Sequence, residues 1–224
     1  MAITDWPAQE RPREKLLNQG AEALTDAELL AVLLRTGKPG CSALDLARNL
    51  LSYYRGLRPL LSASQQSLCS HGGIGEAAFA QFQAVRELAV RHAKAELEKR
   101  PQLTSAYQVR HYLLAKLRDL PHEVFQVLYL DNQNCLIKDE VLFRGTVNAS
   151  AVYPREVVVR ALAEGATGVI FAHNHPSGIA EPSASDIAIT EQLKQALKLV
   201  DVRVLDHQIV ANNQVVSLAE RGLV

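Results

Sequence analysis

The sequence predicts an α/β chain in two parts: a helical N-terminal domain over residues 1–100 and a mixed-sheet domain with flanking helices over residues 102–224. Three observations predict it. In the first part apolar residues recur at helical spacing, and in the second they shift to short β-rich runs. The stretch EKRPQLTS combines charge with a proline between the two and reads as a linker. Beyond it, strand-like and helix-like segments alternate, the pattern of a sheet with helices packed on it.

The elements follow in order. REKLLNQG predicts a helix ending at Gly20. LTDAELLAVLLRTG predicts a second, with Thr25 as N-cap, Glu28 completing a capping box and Gly37 as the stop. SALDLARNLLSYY has apolar residues at helical spacing, and a long helix begins near Glu76. EVFQVLYLD and CLIKDEVLF predict strands joined by the turn-rich DNQN. YPREVVVRALAEG predicts a helix closed by Gly165, TGVIFAHNH a buried strand, and SASDIAITEQLKQALKLV a helix. VRVLDHQIV and QVVSL predict two further strands around the turn ANN.

Composition limits the function classes. The chain has 224 residues, 48% of them hydrophobic, enough for a substantial core. Net charge is zero, and each half lies within about two charges of neutral, so no overall field draws in nucleic acid or a membrane. Cys41, Cys69 and Cys135 are far apart and form no CxxC, which fits a reducing compartment. The N-terminus lacks the apolar core of a signal peptide, and no apolar run approaches the ~20 residues that span a bilayer. The expectation is a soluble, cytoplasmic protein with no membrane contact.

The segment FAHNHPSGIAEPSASD carries the chemistry. Alternate residues of a strand point to one side, so His173 and His175 can face one point at the end of GVIFA. Imidazole binds zinc at about 2.0–2.1 Å, and a third ligand must come from elsewhere. Asp186 is the natural candidate, because the loop with Pro176, Gly178 and Pro182 can return the chain to the strand end. Two histidines and one carboxylate leave a fourth position for water, as catalytic sites do. Zinc suits this set, with iron and manganese as alternatives. Ser183 and Asp186 also fit a plain capping box, but a cap does not explain the His-x-His upstream. Ser183 can cap and still donate to a developing oxyanion.

The pattern His-x-His-x7-Ser-x-x-Asp resembles the JAMM (MPN-type) metalloprotease motif, and nearly the whole chain is similar to the RadC-like (UPF0758) family. RPREKLLNQGAEALTDAELLAVLLRTG resembles that family's N-terminal region, and HEVFQVLYLDNQNCLIKDEVLFRGTVNASAVYPREVVVRAL its C-terminal domain. The resemblance implies an MPN/JAMM fold for residues 102–224, with Zn2+ on His173, His175 and Asp186. It also implies an upstream glutamate beside the metal-bound water. Glu123 matches that position, and Glu140 is the next candidate. The expected activity is zinc-dependent hydrolysis of a protein or peptide, as a metallopeptidase or isopeptidase. Zinc lowers the pKa of bound water to about 7, and the glutamate carries its proton to the leaving amine.

Other features leave alternatives open. Asp206 and His207 in LDHQIV fit either a role orienting a metal histidine or a local hydrogen bond. His71, His92, His111 and His122 have no ligand spacing, and Cys135 has no nucleophile setting. Gly73-Ile74-Gly75 ahead of a helix resembles a helix-hairpin-helix element, which grips nucleic-acid phosphates without reading bases. Glu76 follows, not a basic residue, so a packing or protein-binding hairpin is the other reading; on the nucleic-acid reading, LLRTGKPGCSALDLARNLL packs against the hairpin and offers Arg35 and Lys38 as its only obvious phosphate contacts. The rival function is therefore a DNA-associated repair or recombination factor making weak, non-specific DNA contact through this module. A third is an intact metal site acting on a non-peptide amide.

Overall fold

Reciprocal capping starts three of the described helices. Thr25 accepts the Glu28 backbone N–H at 3.3 Å while Glu28 accepts that of Thr25 at 2.8 Å, opening the helix Asp26–Leu34 (α2). Ser42 with Asp45 opens Ala43–Tyr54 (α3), and Ser183 with Asp186 opens Ala184–Lys198 (α9). The structure, a computed structural model, describes residues 6–98, 106–145 and 152–224. The expected linker at 98–105 lies almost wholly outside the described residues.

The chain divides into two compact units, Met1–Leu88 and Ala89–Val224. In the first, Pro12–Gln19 (α1) precedes α2 and α3, and the short helices Leu57–Leu61 (α4) and Gln65–Cys69 (α5) follow. Its core joins Leu30 and Leu34 of α2, Leu46 and Leu50 of α3, Leu68 of α5 and Phe82 of the long helix Glu76–Glu98 (α6). Ile74, between Gly73 and Gly75, is buried in the same core.

The expected helix stop at Gly37 is corrected. α2 ends at Leu34, with Arg35 at a φ of 65°. Gly37 serves instead a tight turn in which Lys38 and Cys41 exchange backbone hydrogen bonds of 2.9 and 2.8 Å. A Cβ at Gly37 would lie 2.0 Å from the Cys41 carbonyl oxygen, so only glycine admits this approach.

The second unit is built on a mixed sheet. Its strands are Val124–Leu130 (β1), Leu136–Arg144 (β2), Gly168–Asn174 (β3), Arg203–Ala211 (β4) and Gln214–Ser217 (β5), in the order β2-β1-β3-β4-β5. β1 pairs antiparallel with β2 and β3, β3 parallel with β4, and β4 antiparallel with β5. Between β1 and β2, Asp131 accepts from the backbone N–H of Gln133 and Cys135, each at 2.8 Å, and Asn134 takes a φ of 61°.

Strand alternation gives the sheet two apolar faces. Phe125, Val127, Phe171 and Val169 pack under Pro154–Ala163 (α8) and α9. Leu128, Leu130, Ile170 and Ala172 pack under Ala106–Leu117 (α7) and the end of α6. Helix α7 has no counterpart in the sequence reading. On this second face the buried Asp139 takes bonds from Tyr112 at 2.5 Å, Lys94 at 2.7 Å and Gln126 at 3.1 Å, and also pairs with Lys116. Burial opposes its charge, but the bonds from Lys116, Lys94 and Tyr112 prevail and hold its pKa down at about 2. Among the described residues no helix is long and apolar enough to cross a membrane.

Candidate metal centre

A parallel pair of strands needs a crossover, and here α9 supplies it between β3 and β4. The loop after β3 therefore brings the first turn of α9 back to the strand's carboxyl end. His173 is on β3, and His175 lies one residue past it, its N–H bonded to the Val210 carbonyl at 2.8 Å. Asp186 sits in the first turn of α9, fixed by its capping box.

These groups meet. His173 Nε2 lies 2.9 Å from His175 Nε2 and 3.2 Å from Asp186 Oδ1, and His175 Nε2 lies 3.6 Å from Asp186 Oδ2. Donor atoms sharing a zinc at about 2.0–2.1 Å sit roughly 3 Å apart, which this spacing matches. His175 Nδ1 is 2.7 Å from the Ile179 carbonyl. A carbonyl only accepts, so Nδ1 carries the hydrogen and Nε2 turns a bare lone pair towards the cluster. Burial works against the charge of Asp186, while the bonds from the Ser183 hydroxyl and backbone N–H favour it and help to hold its pKa below the carboxylate range.

Glu123, His173 and His175 each offer a donor atom within 4.8 Å of the others, a grouping able to hold a metal ion. With Asp186 they line a cavity of about 300 Å³. Glu123 arrives from the residue before β1, and its segment is tied down by Asn174, the middle residue of His-x-His. Asn174 Oδ1 accepts the Val124 N–H at 2.9 Å, while Nδ2 donates to the carbonyls of Leu120 at 3.3 Å and His122 at 3.0 Å. Glu140, the alternative, is not among the cavity walls and points towards Arg160 at 3.9 Å.

Ser183 also lines the cavity. Its hydroxyl donates to Asp186 Oδ2 at 2.6 Å and lies 2.7 Å from Ser185 Oγ, so capping and a place in the cavity wall coexist. Ser185 is not legible in the sequence, because a serine in a helix's first turn carries no signal of its own. Asp206 and His207 part ways. Asp206 accepts from Ser217, Gln208 and the Ala219 N–H at 2.8–3.0 Å, a local structural role. His207 is wholly buried, with Nε2 2.8 Å from His173 Nδ1 and Nδ1 2.6 Å from Thr190 Oγ1. Burial, and then the neighbouring His173, hold its pKa well below the usual imidazole value. Away from the site, His71 packs edge-on against Tyr53 and His111 stacks on Tyr107.

Comparison with known proteins identifies the family. A family model described as RadC-like JAB domain matches residues 103–223, and one described as UPF0758 N-terminal matches residues 3–80. The chain is 59% identical over 222 residues to a UPF0758 protein of Saccharophagus degradans, covering 99% of both chains. It is 58% identical to one of Cellvibrio japonicus, again over 99% of both, and 57% identical to one of Marinomonas sp. over the full length of both. With both halves matched in order and relatives alike from end to end, the chain belongs to the UPF0758 family of proteins with a RadC-like JAB domain.

Proposed function

We propose that this protein is a zinc-dependent amide hydrolase of the JAMM type, acting as a metallopeptidase or isopeptidase. The observation that carries the reading is the convergence of His173, His175, Asp186 and Glu123 in one cavity. His173, His175 and Asp186 would hold the ion. When bound, it supplies Lewis acidity that activates water and polarises an amide carbonyl. Glu123 then takes the proton from the attacking water and delivers it to the leaving nitrogen. The hydroxyls of Ser183 and Ser185 lie in the same cavity; Ser183 donates to Asp186 Oδ2 here, so donation to the carbonyl oxygen as charge gathers on it requires that hydroxyl to turn from this bond.

The test begins with elemental analysis of the purified protein beside His173→Ala and Asp186→Ala. The reading expects about one zinc per chain in the parent and little in either variant. Cleavage of peptide and isopeptide libraries comes next, with simple non-peptide amides as a further arm. A parent protein free of metal and inert on every arm would remove the hydrolase reading.

The second reading, DNA contact through the first unit, has one observation in its favour. Arg11, Arg13 and Arg35 line a cleft of about 390 Å³ together with Thr36. Glu14 shares that cleft, and Lys38 packs beside Gly72 and Gly73. Binding to duplex DNA at two salt concentrations tests it, since phosphate contacts weaken steeply with salt. Affinity independent of salt, or none, removes it.

A further inference from the structure

The hydrogen-bond polarity around His207 can be worked out from one end. Thr190 Oγ1 lies 2.5 Å from the Asp186 main-chain carbonyl. A carbonyl has no hydrogen to give, so the single hydroxyl hydrogen of Thr190 points there. Thr190 Oγ1 must then accept from its other neighbour, His207 Nδ1, 2.6 Å away. His207 Nδ1 therefore carries a hydrogen.

His207 is 0% exposed, and Phe125 and Phe171 pack edge-on against its ring. A second proton on this ring would be a charge buried against aromatic walls, which is costly. The ring is neutral, and Nε2 is bare. It accepts from His173 Nδ1 at 2.8 Å. His173 Nδ1 thus carries the hydrogen, leaving Nε2 to face His175 and Asp186.

We propose that Thr190 and His207 are positioning residues, a buried relay that holds His173 as the Nδ1–H tautomer and aims its Nε2 lone pair at the metal. The purpose of the relay rests on the metal reading above, but its polarity does not. It does for His173 through two side chains what the Ile179 carbonyl does directly for His175. It also closes a ring. Asp186 ends the relay with its main-chain carbonyl and meets His173 with its carboxylate, so the relay fixes two of the three ligands relative to each other. Partners of this kind, behind a ligand, typically change metal affinity by about 10–100-fold.

The test reads tautomers directly. Two-bond proton–nitrogen correlation spectra of the metal-free, nitrogen-15-labelled full chain should place a proton on Nδ1 of both His207 and His173, with Nε2 of His207 bare. Thr190→Val should disturb the His207 signals and weaken zinc binding about 10–100-fold in competition with a chelator, and Thr190→Ser should restore both. If the valine variant does not fold, the parent spectrum alone decides. A parent His207 protonated on Nε2 overturns the relay. So does a folded Thr190→Val with unchanged His207 signals and parental zinc affinity. Reversed tautomers with normal zinc binding remove the relay alone. Tautomers as stated in a chain that binds no metal remove the hydrolase reading and leave the relay's polarity standing.

Discussion

Asn174 holds Val124 in place: its side-chain oxygen accepts the Val124 backbone N–H at 2.9 Å from a position 1% exposed. The residue between the two candidate histidine ligands thereby fixes the chain beside Glu123. Its amide nitrogen bonds the carbonyls of Leu120 and His122 on the other side of that glutamate. Asn174→Ala would leave three backbone groups without partners. We expect a loss of about 2–4 kcal/mol in stability, since each unmade buried bond costs roughly 1–3 kcal/mol and water recovers part of it. Urea unfolding measures this. Turnover should fall further than zinc content, because the histidines keep their own supports.

Glu123→Gln keeps size and hydrogen bonding but cannot accept the water proton. Hydrolysis should drop by roughly 10²–10⁴-fold, the usual weight of general acid–base catalysis. Zinc content should stay at the parental level by elemental analysis. Full activity in this variant would assign the proton to another group.

Asp139 gives the second unit an acid-sensitive anchor. Its pKa is about 2 in the folded chain against an ordinary 3.8. A depressed carboxylate stabilises the fold fully above its unfolded pKa, and the contribution fades as pH falls towards the folded value. Stability should therefore decline between about pH 4 and pH 2. Asp139→Asn should lose on the order of 2–4 kcal/mol at neutral pH, because Lys94 and Lys116 lose a buried partner. It should also show a flatter acid dependence. Urea midpoints across pH, parent against variant, read both effects.

Gly37→Ala puts a methyl group 2.0 Å from a backbone oxygen, where no flexible side chain can yield. The turn between α2 and α3 must open, and the thermal transition of the first unit should fall by several degrees or more. An unchanged transition would mean that the Lys38–Cys41 turn does not hold in solution.

Much of this was legible because the signals are local. Thr25 with Glu28 and Ser183 with Asp186 lie three residues apart and announce helix starts from sequence alone. His173 and His175 sit two apart on an unmistakably buried strand, so their shared direction follows from the pleat. Helix α7 is harder to read. Its buried stripe, Val109, Tyr112, Leu113 and Leu117, has helical spacing, but Tyr107 is apolar and exposed and blurs the pattern. Gly37 reads as a helix stop because glycine often is one, but its constraint is a carbonyl four residues on that only the folded turn brings near. The Thr190–His207 contact spans 17 residues and two elements. No local pattern announces it.

The crossover β3–α9–β4 carries His173, His175, Asp186, Thr190 and His207 in one continuous piece of chain, whereas Glu123 enters from before β1. On the hydrolase proposal, ion capture and proton handling are thus encoded at separate loci. Drift in the segment ahead of β1 can silence the chemistry without dismantling the ion's seat. A descendant altered there would persist as a metal-bearing, inert relative, able to occupy a substrate without cutting it.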